Sequence, residues 1–170
     1  MSGSTIGTSF NYGFIGNVST NHPCVIEEKP VVAGGSTIPF GRAVGLNTDN
    51  TVFLADANLT ASNFAGVAVA EVKQITTYSV GQDTAQSGGY LADQPCDVLQ
   101  QGIVAVNCHG TPTAGGAVYV RKNDGSGQLA GEFRTTADGG NTVQLTNCAW
   151  ASNQKDANGV ALLKIKTINI

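Results

Sequence analysis

No window of eleven or more residues in this chain repeats apolar positions at spacings of three and four without a glycine, a proline or a β-branched residue interrupting it. A helix layer would have no continuous apolar stripe to bury, so strands must carry the fold. The spacing of apolar and β-branched runs predicts strands over 24–32, 51–54, 64–72, 75–80, 98–107, 117–121, 131–135, 142–149 and 160–167. Gly-, Asn- and Asp-rich turns separate them; Asn123-Asp-Gly-Ser-Gly127 and Asp138-Gly-Gly-Asn141 supply residues that tolerate positive φ and are expected to join neighbouring strands. Twenty-two glycines in 170 residues, nearly twice the usual share, fit such a turn-rich chain. The expectation is an all-β, antiparallel β-sandwich or barrel, jelly-roll-like, spanning 24–170 with an extended N-terminal arm over 1–23. A single helical turn over 56–62 is the most helix expected.

The last strand shows the pattern most clearly. Ala161, Leu163 and Ile165 alternate with Lys164 and Lys166, which predicts one buried and one wet face and a place near a sheet edge. The arm is different in character, rich in Gly, Ser, Thr and Asn, with no charged side chain before Glu27. Within it Ile6, Thr8, Phe10, Tyr12 and Phe14 fall at every second position, so an extended arm would place three aromatics on one face. Three readings follow from that pattern: an ordinary first strand packing on its own domain, a strand that docks on a neighbour through main-chain pairing and alternate side chains, or a disordered terminus.

Charge and chemistry narrow the function. Nine basic and twelve acidic residues give a net charge of −3, without the cation excess that binding a phosphate backbone requires, so no nucleic-acid partner is expected. No run approaches the eighteen or so apolar residues of a membrane span, so no membrane partner is expected either. Met1-Ser-Gly-Ser-Thr carries no basic and apolar leader pattern, so synthesis and folding in the same compartment are expected. Under that expectation Asn17-Val-Ser19 and Asn58-Leu-Thr60 match the glycosylation pattern by chance, and Cys24, Cys96, Cys108 and Cys148 are free thiols.

Only His22 and His109 offer imidazole bases. Cys108 and His109 are adjacent, so on a strand they point to opposite faces and cannot form a thiolate–imidazolium pair. Gly125-Ser-Gly-Gln-Leu-Ala-Gly131 is one residue too long for a dinucleotide fingerprint and has no βαβ setting. Neither an EF-hand nor a glycine–aspartate nonapeptide calcium repeat is present. The reading is a non-enzymatic protein with no catalytic residues, cofactor or metal.

Three stretches together resemble the phage capsid decoration, or structural cement, protein family. Phe64-Ala-Gly-Val-Ala68 is similar to the strand in which an aromatic precedes a Gly-Val-Ala step, and Gly102-Ile-Val-Ala-Val106 to a glycine followed by alternating valines. Ala114-Gly-Gly-Ala-Val-Tyr-Val120 is similar to the family's small-Gly-Asp-x-Val-Tyr strand entry, with Gly116-Ala117 standing where the family often has Gly-Asp. Order and spacing match as well. The resemblance runs from Val31 to the carboxyl terminus and leaves the arm outside the shared core.

The resemblance implies a viral structural protein on the outer surface of a bacteriophage head, made in the host cytoplasm. It would act as a homotrimer that binds the major capsid protein and stabilises contacts between capsid subunits. Independently of the family, the arm's Ile6, Phe10, Tyr12, Phe14 and Ile15 are the candidate contacts to capsid or to a neighbouring copy. A different class of function stays open on the residues: a carbohydrate-binding β-sandwich of a tail fibre or surface lectin, with Trp150, Tyr90 or Tyr119 stacking on a sugar. Trp150 lies near Asn147 and Asn153, as a sugar platform would require; its other role is core packing.

Overall fold

The computed structural model describes residues 11–19, 22–70 and 88–167. Its strands in chain order are β1 (Val25–Pro30), β2 (Ile38–Pro39), β3 (Ala43–Leu46), β4 (Val52–Leu54), β5 (Phe64–Ala68), β6 (Gly89–Tyr90), β7 (Pro95–His109), β8 (Val118–Arg121), β9 (Phe133–Arg134), β10 (Thr142–Leu145), β11 (Cys148–Trp150) and β12 (Val160–Ile165). The all-β expectation holds, and among the described residues there is no helix; residues 56–62 form turns only. The strand expected over 75–80 lies outside the described residues.

Among the described residues, ten strands form one sheet: seven follow the path β10-β8-β9-β7-β5-β3-β4, β1 and β12 also pair with β7, and β11 pairs with β12, while β2 and β6 make a separate two-stranded ribbon. All pairs are antiparallel except β7 with β9, so the sheet is mixed, and the path has two ends rather than closing into a barrel. β7 organises the whole. Its 15 residues reach about 50 Å at strand rise, between two and three times the usual strand length. That reach lets β1 pair along Pro95–Gln101 and β12 along Gly102–Asn107, while β5 meets Val98 and Leu99 and β9 meets Cys108 and His109.

Apolar side chains cover both faces of this sheet. One cluster gathers Phe64, Val67, Leu99, Val104, Val106, Phe133, Trp150, Leu163 and their neighbours; a second holds Ile38, Phe40, Val44, Val52, Ala68, Tyr90, Cys96 and Val98. A strand sandwiched between two clusters has no wet face, which is why all five residues of β5 are buried and its sequence reads as a continuous apolar run.

The two clusters also explain the glycines of the motifs. On β5, Phe64 and Val67 face the first cluster although they are three apart, which strict alternation forbids. The break is a bulge: Val44 pairs with Gly66 and Gly45 with Phe64, skipping Ala65. Gly66 has φ +153°, and a Cβ there would overlap the Leu99 carbonyl oxygen. On β7 the inward residues change from odd Leu99 to even Val104 across a second register shift, where Ile26 pairs with Leu99 and Val25 with Gln101. Gly102, φ +136°, follows that step. Each glycine allows one strand to change which face it presents.

Several expectations need correction. The run 142–149 is two strands, β10 and β11, interrupted by a turn at Thr146 and Asn147. β12 buries Ala161, Leu163 and Ile165 as its alternation implied, but it is not an edge, because β7 and β11 flank it. Asn123–Gly127 does join paired strands, whereas Asp138–Asn141 links β9 to β10, which lie on opposite sides of β8.

Candidate functional site

Residues 11–19 lie against the domain that follows them. Gly16 N–H donates to Ala105 O at 2.8 Å, Ala105 N–H to Asn17 O at 2.9 Å and Ser19 N–H to Ile103 O at 2.8 Å. β12 already pairs with the same stretch of β7, so the arm takes the opposite edge and fills the gap between β5 and β9. Gly16 O also accepts from Ala70 N–H at 3.0 Å, and Val18 packs against the first apolar cluster. The fit depends on two glycines in contact: a Cβ on Gly16 would lie 2.8 Å from Phe40 Cβ, and one on Gly41 would overlap Ile15 Cγ2.

Of the five candidate contact residues, Ile6 and Phe10 lie outside the described residues. Tyr12 is half-buried, its N–H donating to Asp156 Oδ2 at 3.2 Å, in a shallow groove shared with Ala114, Ala151, Ser152 and Leu162. Phe14 is 63% exposed, and Ile15 is half-buried against Gly41. Tyr12 and Phe14 therefore do not share a face. The extended geometry assumed from alternation is broken by Gly13 at φ +92° and Gly16 at φ +85°, with a turn that brings Asn17 N–H to Phe14 O at 3.0 Å. Phe14 sits on that turn, where its ring meets water.

Among the described residues, the other exposed large apolar side chains are Leu129, Leu91 and Val25. Leu129 belongs to the loop between β8 and β9, which is braced from inside. Arg121, 4% exposed along its side chain, donates Nε–H to Asn123 O at 2.7 Å and pairs with Asp138 at 2.6 Å. Arg134 shares the same Asp138 carboxylate at 2.8 Å, and the two guanidinium groups hold that carboxyl below its ordinary range. Deeper, Glu132 is paired with Arg42 at 3.1 Å and with His109 at 2.6 Å. Nothing local in the sequence marks this cluster, because its members come from positions ninety residues apart.

Cys108 is buried in the first cluster while the His109 ring turns the other way to Glu132, the opposed arrangement that strand geometry implied. Burial pushes the Cys108 thiol up to about 11 and Cys148 up to about 12. Cys96 rises further for the same reason, and all three are free. Cys24 is also free, but exposed rather than buried. Among the described residues, no three His, Cys, Asp or Glu side chains are placed to hold a metal ion.

Two of the three aromatics considered for sugar stacking are inside the protein. Trp150 is 2% exposed and donates Nε1–H to Ala117 O at 3.0 Å; Tyr90 is 2% exposed, with its hydroxyl on Val69 O at 2.6 Å and its ring edge-on to Phe40. Neither presents a ring face to solvent. Trp150 instead fills the first cluster, the packing role expected of a large aromatic in a β domain.

A search of curated proteins finds no match. Among solved structures, a chain described under "The capsid of Myoviridae Phage XM1" shares the fold: TM-score 0.68 and 21% identity, over 95% of this chain and 94% of that one. The family model described as "Structural cement protein (E217 gp24/Pam3 gp6)" matches residues 3–166. That span takes in nearly all of the arm, which the sequence motifs had left outside the shared core. The chain therefore belongs to the phage structural cement protein family.

Proposed function

We propose that this protein binds the outside of an assembled phage head as a homotrimer and stabilises contacts between major capsid proteins, with residues 1–23 reaching capsid or a neighbouring copy. The observation that carries the reading is the family match over residues 3–166, arm included. Phe14 supports the role of the arm: a large aromatic, 63% exposed, on a turn whose backbone is held to β7 on one side and Ala70 on the other. A ring held in this way loses little freedom when it inserts into a partner, which lowers the cost of binding.

Symmetry supplies the strength. A trimer that engages one site makes its second and third contacts intramolecular, which raises avidity by about a hundredfold or more over a single contact. The net charge of −3 supports binding to protein rather than to packaged nucleic acid. The test adds full-length protein, a 24–170 truncation and Phe14→Ser to undecorated heads and measures occupancy by co-sedimentation. Full-length protein should saturate heads, Phe14→Ser should bind more weakly, and the truncation, its folding checked first by thermal unfolding because it uncovers the β7 edge at Ile103 and Ala105, should lose most occupancy. Equal decoration by all three would remove the arm from the mechanism.

A further inference from the structure

Glu132 is 5% exposed, and both of its carboxylate oxygens are fully used. Oε1 accepts from Arg42 Nη2 at 3.1 Å and Asn107 Nδ2 at 3.0 Å; Oε2 accepts from Leu129 N–H at 2.9 Å and meets His109 Nε2 at 2.6 Å. An ionised carboxylate is acceptor-only, so His109 must present Nε2–H to it. The four donors come from three places in the chain: the turn between β2 and β3, the end of β7, and the β8–β9 loop. Arg42 completes the link by donating Nη1–H to Ala130 O at 2.9 Å, while Ala43 N–H donates to Gly131 O at 3.0 Å.

Arg42 is the residue after Gly41, on which the arm rests. Gly41 touches Ile15 and Gly16, and its N–H donates to Ala68 O at 2.6 Å. A shift of the β2–β3 turn would thus move the surface that receives Ile15. We propose that Glu132 is a positioning residue for the N-terminal arm: by clasping Arg42 to the end of β7, it fixes the Gly41 seat and so holds residues 14–19 on β7 without touching them. The coupling goes beyond the capsid-binding reading and does not depend on what the arm binds. It predicts that a buried substitution in the β8–β9 loop changes the presentation of Phe14.

Glu132→Gln tests the clasp with nearly unchanged volume. Whichever way the amide is turned, its NH2 replaces an acceptor: at the Oε1 position it faces Arg42 and Asn107, at the Oε2 position the Leu129 N–H. Hydrogen exchange would be followed at Gly16, Ser19 and Ala105, whose N–H groups bond the arm to β7, and at amides in the β7–β12 ladder as an internal reference. The expected result is exchange faster by about tenfold or more at the three arm amides, with the reference amides unchanged.

Arm amides that keep their protection while Leu129 and Ala43 open would overturn the proposal, because the arm would then be held by its own bonds alone. If Glu132→Gln loosens every amide together, the double variant Asn107→Ala/His109→Ala decides: it removes both donors on β7 and leaves the Arg42 pair. A selective rise at Gly16 and Ser19 supports the clasp, and unchanged arm protection refutes it.

Discussion

Gly41→Ala isolates the seat of the arm from the rest of the fold. Gly41 has φ +71°, where an L-residue with a Cβ costs about 1–2 kcal/mol. The added Cβ would overlap Ile15 Cγ2 and lie 3.0 Å from Gly16 N, an overpacking penalty of about 1–3 kcal/mol. Together these give about 2–5 kcal/mol of strain. Against it stand four main-chain hydrogen bonds, Gly16 to Ala105, Ala105 to Asn17, Ser19 to Ile103 and Ala70 to Gly16, each worth about 1 kcal/mol net. Strain and holding energy are of the same size, so the arm should lift while the sheet stays closed.

At tenfold per 1.4 kcal/mol, exchange at Gly16 and Ser19 should rise by about thirtyfold or more, with β7–β12 amides little affected. Adding Ile15→Ala removes the overlapped methyl and should recover part of the protection, leaving the backbone strain. Unchanged arm exchange in Gly41→Ala would refute the reasoning. So would a loss shared equally by every strand, since the arm would then unfold with the domain rather than from it.

Thiol chemistry should separate the four cysteines. Cys24 is exposed, while Cys96, Cys108 and Cys148 are buried with thiols pushed up, so a maleimide at neutral pH should label one site quickly and the other three only on unfolding. Gly66→Ala should cost about 3–5 kcal/mol, measured by chemical denaturation, because it strains the bulge and drives a Cβ into the Leu99 carbonyl. Trp150, the sole tryptophan, should emit at short wavelength when folded; Trp150→Phe should lose about 1–3 kcal/mol, in part by leaving Ala117 O without its donor. The Glu27 carboxyl is lowered mainly by its hydrogen bond from Lys29, and Asp138 by Arg121 and Arg134. Both contributions are complete above the ordinary carboxylate range and lost as pH falls through the lowered folded values, so stability should fall below about pH 4, and less steeply in Glu27→Gln.

Strand content was legible because it depends on local pattern. The alternation of Ala161, Leu163 and Ile165 and the run Phe64–Ala68 both mark real strands, one flanked by neighbours and the other covered on both faces. β3 was missed because Ala43-Val-Gly-Leu46 is too short and too little alternating to stand out, and β2 and β6 have two residues each. Gly66 and Gly102 were visible as motif letters, but their work as face-changing positions depends on pairing with strands far away in sequence. The arm shows the limit of periodicity. Tyr12 and Phe14 alternate perfectly, yet Gly13 turns the backbone between them and Gly16 bends it again just beyond, so one ring goes to a groove and the other to solvent. The Glu132 clasp had no sequence signature, since Arg42, Asn107 and His109 come together only once β7 is in place.

The most direct test of the cement role is titration of purified full-length protein onto expanded heads that lack it, with bound protein per head measured by sedimentation and head survival measured on heating. Saturable binding at a stoichiometry divisible by three, with heads that survive higher temperature when decorated, is the expected result. Protein that stays in the supernatant at every concentration, or binds without changing head stability, would contradict it.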